Sequence, residues 1–445
     1  MTTPPRLNAA DAAAPSEALG KPLLRPMLAR DVVARRGSPI DAPTLASADA
    51  LLREIEASPD RDAAALALAK RFGDAPEHAT PTSLALGPAQ LRAALARLSS
   101  DQRGVLERAC ERIEAFARAQ RACLANLSLP IEGGSAGHEC LPVASAGCYA
   151  PGGRFPLPSS VLMTAIPARV AGVASVWVAS PRPSDATLAA AALAGADGVL
   201  AIGGVQAIAS LADGLLGAPA CDVIVGPGNR WVTAAKALVS HRVGIDMLAG
   251  PSELVVLADD SADAALVASD LLAQAEHDDD AIPMLVTTSA ALAQSVEREL
   301  ARQLATLPTR DTALAALRNG ACALADRLDD AIAACNRIGA EHLEVHTRDA
   351  ARVASRITNA GAVFVGGLAA EVLGDYGAAP NHVLPTGGSS RFRAGLSVFT
   401  FLRARTWLRV DDPTAATPII ADAAALGRIE GLEAHARSAE RRHPR

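Results

Sequence analysis

Residues 198–236 read GVLAIGGVQAIASLADGLLGAPACDVIVGPGNRWVTAAK. Twice in this stretch a short apolar run meets a glycine turn and then a helical pattern. Gly198 to Ile202 and Asp222 to Val225 read as strands. Gly203-Gly204-Val205-Gln206 and Gly226-Pro227-Gly228-Asn229 read as turns into helices, the second around Lys236. Short apolar strands alternating with helices indicate a parallel α/β architecture. The same texture begins at Ala146, where a strand runs into the turn Tyr149 to Gly153. It continues through a helix at Met163 to Val173, a strand at Ser175 to Ala179 and a helix at Ala186 to Ala196.

A second α/β unit follows. Its strand candidates are Leu254 to Leu257, Met284 to Thr287, Glu344 to Thr347 and Val363 to Val365, separated by helices around 262–276, 289–304 and 328–339. Its N-terminal part can lie before residue 146, which makes the first unit an insertion. Residues 47–73 read as two helices divided at Pro59, and 88–126 as two divided at Ser99-Ser100-Asp101. Residues 1–20, rich in Ala, Pro and Ser, read as a loose tail. Beyond Arg391 the pattern is mostly helical and too small for a core of its own.

The chain has 445 residues, enough for two to four domains, and 50% of them are apolar. A net charge of -6 gives no argument for nucleic acid. The seven cysteines include no CxxC pair, which suits a reducing compartment. No export signal and no membrane-length apolar run is present, so the expectation is a cytoplasmic protein without a membrane partner.

A strand leading into GxGxxG with an acidic residue about twenty positions on is absent. The three glycine turns still place backbone N–H groups where an anion can approach. Gln274 and His277, three apart, share one helical face and can aim at one ion, although zinc needs about four ligands. Ile338-Gly-Ala-Glu341-His342-Leu343 offers one group to move a proton and one to activate water. His346, in the strand that follows, reads as structural. The loop Gly374 to Pro385 carries Asp375, Tyr376, Asn381 and His382. Asp375 can join Gln274 and His277, and His382 can bind substrate or ligate. Glu430-Gly-Leu-Glu433-Ala-His435 reads as an amphipathic helix.

The stretch GIDMLAGPSE (244–253), its following strand and DLLAQAEH (270–277) resemble the signature of histidinol dehydrogenases. The resemblance extends over Tyr149 to Val173, Gly203 to Ala207, Gly226 to Lys236, Asn336 to His342, Gly374 to Thr386 and Arg391 to Leu402. It implies an enzyme that oxidises L-histidinol through the aldehyde to L-histidine, with two NAD molecules accepting hydride in succession. Gln274, His277, Asp375 and His435 correspond to zinc ligands. His342 corresponds to the base, and Glu341 to the residue that activates water. Ser252, His382 and Glu430 correspond to substrate-binding positions, and Tyr149, Gln206 and Asn229 to NAD contacts.

The implied fold is two incomplete Rossmann-like domains with small helical terminal segments, in a domain-swapped homodimer whose Glu430 and His435 act in trans. The expected division places residues 1–40 in an N-terminal dimerisation segment. It assigns 41–145 and 249–390 to a discontinuous α/β domain, 146–248 to a second, NAD-associated domain, and 391–445 to a C-terminal helical dimerisation segment. Asp278-Asp279-Asp280 departs from the Gly and Pro usual after His277. The competing readings are a relative oxidising another small primary alcohol with NAD, a zinc hydrolase, and a non-catalytic dimeric binding protein.

Overall fold

The computed structural model describes residues 22–34, 40–152 and 156–444. The tail reading of 1–20 and the end of the first glycine turn, Gly153, lie outside them. Two sheets organise the chain. The parallel strands of the first are Ser145–Tyr149, Ser175–Ala179, Gly198–Leu200, Val223–Val225 and Gly244–Ile245. Across the sheet they run third, second, first, fourth, fifth, with Ala85–Leu86 antiparallel outside the third. The second sheet consists of Glu253–Ala258, Ile282–Thr287, Ala321–Leu324, His342–His346 and Ala362–Val365. It has the same order, and Arg25–Leu28 is added in parallel outside its third strand. This is the strand order of a mononucleotide-binding half with its extension, and ligands gather where the winding reverses between first and fourth strands.

Each sheet packs apolar cores on both faces. Ala146, Cys148, Val176 and Val178 pack into one core, while Ala179, Leu200 and Ile224 pack into another on the opposite side. In the second sheet Leu254, Val256 and Leu285 face one core, and Val255, Leu257, Val286, Leu343 and Val345 the other. Such double burial is why these strands read as continuous apolar runs.

Three findings differ from the sequence reading. The helices Ala42–Glu56, Arg61–Arg71, Pro88–Arg97 and Ser100–Ala122 pack on the first sheet, through Leu52, Ile55, Leu91 and Ile113. The expected division attached 41–145 to the second sheet instead. An amphipathic helix displays an apolar stripe but does not name the sheet it covers. Within the expected N-terminal segment, Arg25–Leu28 is an edge strand. And the region after Arg391 contains the nine-residue strand Leu402–Val410, antiparallel to Gly134–Pro142, which in turn pairs with Leu127–Ile131. Arg403, Arg405 and Arg409 alternate with apolar or small residues there, a two-residue period of an exposed strand rather than a helical one. The helices Thr417–Ile429 and Glu433–Glu440 then pack on each other.

Candidate active site

At the first sheet's reversal point, the first strand ends at Tyr149 and the fourth runs into Gly226. The Tyr149 hydroxyl accepts the Gly204 N–H at 3.2 Å, and burial pushes the phenol up to about 12. Gln206 donates to Asp74 at 3.1 Å, and Asp74 also accepts the Gly203 N–H at 2.9 Å. Asn229 caps the helix Arg230–Val239, its side-chain oxygen accepting from Trp231 and Val232. Tyr149, Gln206 and Asn229 therefore meet along one cavity of about 580 Å3, whose wall also includes Asp74, Gly204 and Trp231.

Gly226 sits at φ 109°, and a Cβ there would lie 2.0 Å from the Tyr149 carbonyl oxygen, so glycine is required. A buried ion pair pins this turn. Lys236 donates to the Gly226 carbonyl at 2.9 Å and bonds Asp246, which accepts the Gly226 N–H at 2.7 Å.

A second group of the residues predicted from sequence lies at the amino end of the second sheet, where its first and fourth strands begin. Glu341 immediately precedes the fourth strand and His342 opens it. Ser252 immediately precedes the first, and its carbonyl accepts the Ile282 N–H at 3.0 Å. Gln274 lies at the end of the helix Ala264–Ala275, and His277 just beyond it. Asp375 closes the helix Glu371–Asp375. His277 Nε2 stands 3.4 Å from an Asp375 carboxylate oxygen. Burial opposes charge on His277, but Asp375 outweighs it and holds the imidazole above its usual range. The three imidazoles of His277, His382 and His342 hold Asp375 below the carboxylate range against its burial.

His342 is buried, and burial lowers it to about 4. Its Nδ1 lies 3.3 Å from the Glu253 carbonyl and 3.3 Å from Glu371 Oε1. Its Nε2 has no hydrogen-bond partner and faces Asp375 at 3.8 Å. A proton on Nδ1 thus leaves a neutral ring with its Nε2 lone pair aimed into the site, the tautomer being assigned from this bonding pattern. Glu341 accepts the Glu253 N–H at 3.0 Å, and burial, with Glu253 and Asp375 nearby, pushes its carboxyl well above the usual range. That makes it a stronger proton acceptor than an ordinary carboxylate. His382 bonds the Asp375 carbonyl at 3.0 Å through Nδ1 and the Ser160 hydroxyl at 3.3 Å through Nε2.

His277, Asp375 and Glu371 each bring one ligand-type atom within 4.8 Å of the others. Gln274 is fully buried, with neither amide atom hydrogen-bonded. An unpartnered buried amide is costly unless something else satisfies it. This donor set of imidazole, carboxylates and an amide oxygen fits a zinc-class ion.

Glu371 is absent from the sequence reading, because its spacing from Asp375 suggests only a surface helix. Asp74 was missed as well, and its role is visible only through its bonds to the distant glycine turn. Glu430 and His435 lie on the exposed C-terminal hairpin, and His435 is outside the metal-type cluster of the single chain. Among the described residues no helix is long and apolar enough to cross a membrane, and all seven cysteines are free.

The family model for histidinol dehydrogenase matches residues 41–443. The chain is 43% identical to the histidinol dehydrogenase of Aromatoleum aromaticum over 407 residues, covering 90% of this chain and 92% of that protein. It is 46% identical to the Thermus thermophilus protein of the same name over 353 residues, 79% of this chain and 85% of that one. The crystal structure of histidinol dehydrogenase from Elizabethkingia anophelis superposes with a TM-score of 0.87 at 30% identity, covering 95% of this chain and 98% of that one. The chain belongs to the histidinol dehydrogenase family.

The histidinol dehydrogenase signature GIDMLAGPSE has a structural reason here. Its Asp246 fastens the glycine turn of one sheet, and its Glu253 begins the first strand of the other.

Proposed function

We propose that the protein is a histidinol dehydrogenase that oxidises L-histidinol to L-histidine in two NAD-dependent steps at a zinc site. Gln274, His277 and Asp375 would hold the ion, completed by His435 from a second copy of the chain. Glu371 stands close enough to join them. When bound, zinc supplies Lewis acidity that orients the substrate and favours loss of the alcohol proton, and NAD takes up the hydride.

The chain's own residues account for the proton movements. In the first step the alcohol O–H proton goes to His342 Nε2 while hydride leaves the adjacent carbon, giving the aldehyde. Glu341 then takes a proton from a water that adds to the aldehyde carbon, while His342 gives the proton it holds to the carbonyl oxygen, giving the hydrate. In the second step a hydrate O–H proton goes to His342 as a second hydride leaves, giving the carboxylic acid. Glu341 returns its proton to solvent between the steps, and His342 does so after the second. Ser252 and His382 would orient the substrate, with Glu430 of the second copy. Tyr149, Gln206 and Asn229 would line the NAD site, and closing both oxidations in one site keeps the aldehyde from water at large.

The observation that carries this reading is the free Nε2 of the buried His342, turned toward the His277–Asp375 cluster in a member of this family. The test is stoichiometry. Incubation with L-histidinol and NAD should yield two NADH per histidine; one NADH with accumulating aldehyde would overturn the two-step scheme. Mixing a His342 variant with a His435 variant should recover activity if the tail acts across the dimer.

A further inference from the structure

The strand His342–His346 reads His-Leu-Glu-Val-His, and all five residues are buried. Leu343 and Val345 join the apolar core on one face, as a doubly covered parallel strand requires. His342, Glu344 and His346 share the other face, against the helix Ala264–Ala275, where only apolar side chains are expected. That helix answers with its own polar row: Asp270, Gln274 and His277 recur at four- and three-residue spacing and so line one side. The upper end of this seam is the active site. The lower end, Asp270 with Glu344 and His346, is not used by the reaction, and it lies toward the carboxyl ends of the first and fourth strands. That is the reversal point at which doubly wound sheets place ligands.

Asp270, Glu344 and His346 each present a ligand-type atom within 4.8 Å of the others. His346 Nε2 is 3.3 Å from Glu344 Oε2 and 3.9 Å from Asp270 Oδ2. Bonds near 2.1 Å to one ion in a tetrahedral site set neighbouring ligand atoms about 3.4 Å apart, so the spacing is close to that required. Glu344 is 0% and His346 4% exposed, and neither Glu344 Oε2 nor His346 Nε2 has a hydrogen-bond partner. The other Glu344 oxygen is occupied, accepting the Glu371 N–H at 2.7 Å, which leaves Oε2 turned into the seam.

Among the described residues no Lys or Arg pairs with either carboxylate. Two secluded acids beside an unpartnered imidazole call for a cation. Asp270 closes the cluster from the helix side. Its side chain remains 12% exposed, which gives an ion a way in.

We propose that Asp270, Glu344 and His346 bind a second divalent cation of the zinc, cobalt or manganese class, separate from the catalytic ion. One nitrogen and two oxygens favour these metals over magnesium or calcium. Asp270 lies seven residues before His277, so the two ions stand about 10 Å apart along the helix. The second ion has a structural role. It fixes Glu344, whose other oxygen holds the start of the helix that ends in Asp375.

The test is metal counting on the full chain, stripped with chelator, loaded with zinc chloride and exhaustively dialysed. Wild type should retain two zinc ions per chain. His277→Ala, which removes a ligand of the first site, should retain one. His346→Gln combined with Asp270→Asn should also retain one, and all three substitutions together none. One ion in wild type with none in His277→Ala overturns the proposal. So do two ions in the His346→Gln, Asp270→Asn variant, which would place the second ion elsewhere. If that variant does not fold, the count in His277→Ala decides alone.

Discussion

The two sheets share one strand order and use opposite ends of it. In the first, the residues proposed to contact NAD gather at the carboxyl ends of the strands, where Tyr149 and Gly226 flank the reversal point and the Tyr149–Gln206–Asn229 cavity opens. In the second, Ser252, Glu341 and His342 sit where the first and fourth strands begin. The difference lies in what each end offers. Glycine turns into helices present backbone N–H groups, suited to an anionic ligand. The amino ends of the second sheet instead present side chains fixed by buried strands, with Glu253 bonding both Glu341 and His342 through its backbone. A site that moves protons gains from that rigidity.

This contrast can be broken most directly at His342. His342→Gln should lower kcat by about a hundredfold to ten-thousandfold, the usual worth of a positioned base, with the metal content of the catalytic site unchanged. Full activity would remove the reaction from the second sheet's amino edge.

At the first sheet, Lys236→Ala leaves Asp246 buried without its partner, both side chains being almost fully enclosed. A loss of about 3–5 kcal/mol in denaturant unfolding is expected, together with weaker NAD binding. A loss below about 1 kcal/mol, the worth of an exposed pair, would show that the glycine turn does not depend on the pair.

The pH dependence separates the two sites further. His342 is held near 4 in the fold against about 6.5 when unfolded, so between those values the unfolded chain binds more protons. Through this group alone, stability falls by about 3 kcal/mol as pH drops from about 6.5 toward 4. Over that window the metal-free wild type should lose about 3 kcal/mol more than metal-free His342→Gln, the other buried groups contributing equally to both. Equal slopes would mean that His342 is not neutral in the fold.

The smallest expected effect is at Tyr149. Tyr149→Phe removes the acceptor for the Gly204 N–H and should cost about 1 kcal/mol, read as a several-fold rise in KM for NAD with kcat retained. A fall in kcat alone would put Tyr149 in the chemistry rather than in the nucleotide cavity.

Much of both sheets was legible in the sequence because buried parallel strands are continuous apolar runs. Ser175–Ala179 was read with its observed bounds, and Pro59 and the Ser99-Ser100-Asp101 cluster divide helices where expected. Ala321–Leu324 was missed because Ala-Cys-Ala-Leu has no β-branched residue to mark it. Arg25–Leu28 was missed because its strand partner among the described residues lies nearly three hundred residues on. Gln274, His277, Glu341, His342 and Asp375 were named through a local motif or a resemblance. Glu371 and Asp74 have neither, and they matter through contacts that only folding creates. His346, read as structural, proves to be one of three polar residues on a strand face that should be apolar. The alternation was already in the letters His-Leu-Glu-Val-His, but its oddity depends on both faces being covered.

The edge strand Arg25–Leu28 carries a consequence for how the molecule is made. It pairs with Ala321–Leu324, and Glu297 accepts the Leu23 and Leu24 N–H groups just before it. On the ribosome, residue 25 emerges early and has no strand to join until residue 324 has been synthesised. All the strands of the first sheet, between residues 85 and 245, appear in the interval. Of the two six-stranded sheets, the one whose first segment is translated earlier is thus the later to close, and for most of translation its leading strand waits unpaired.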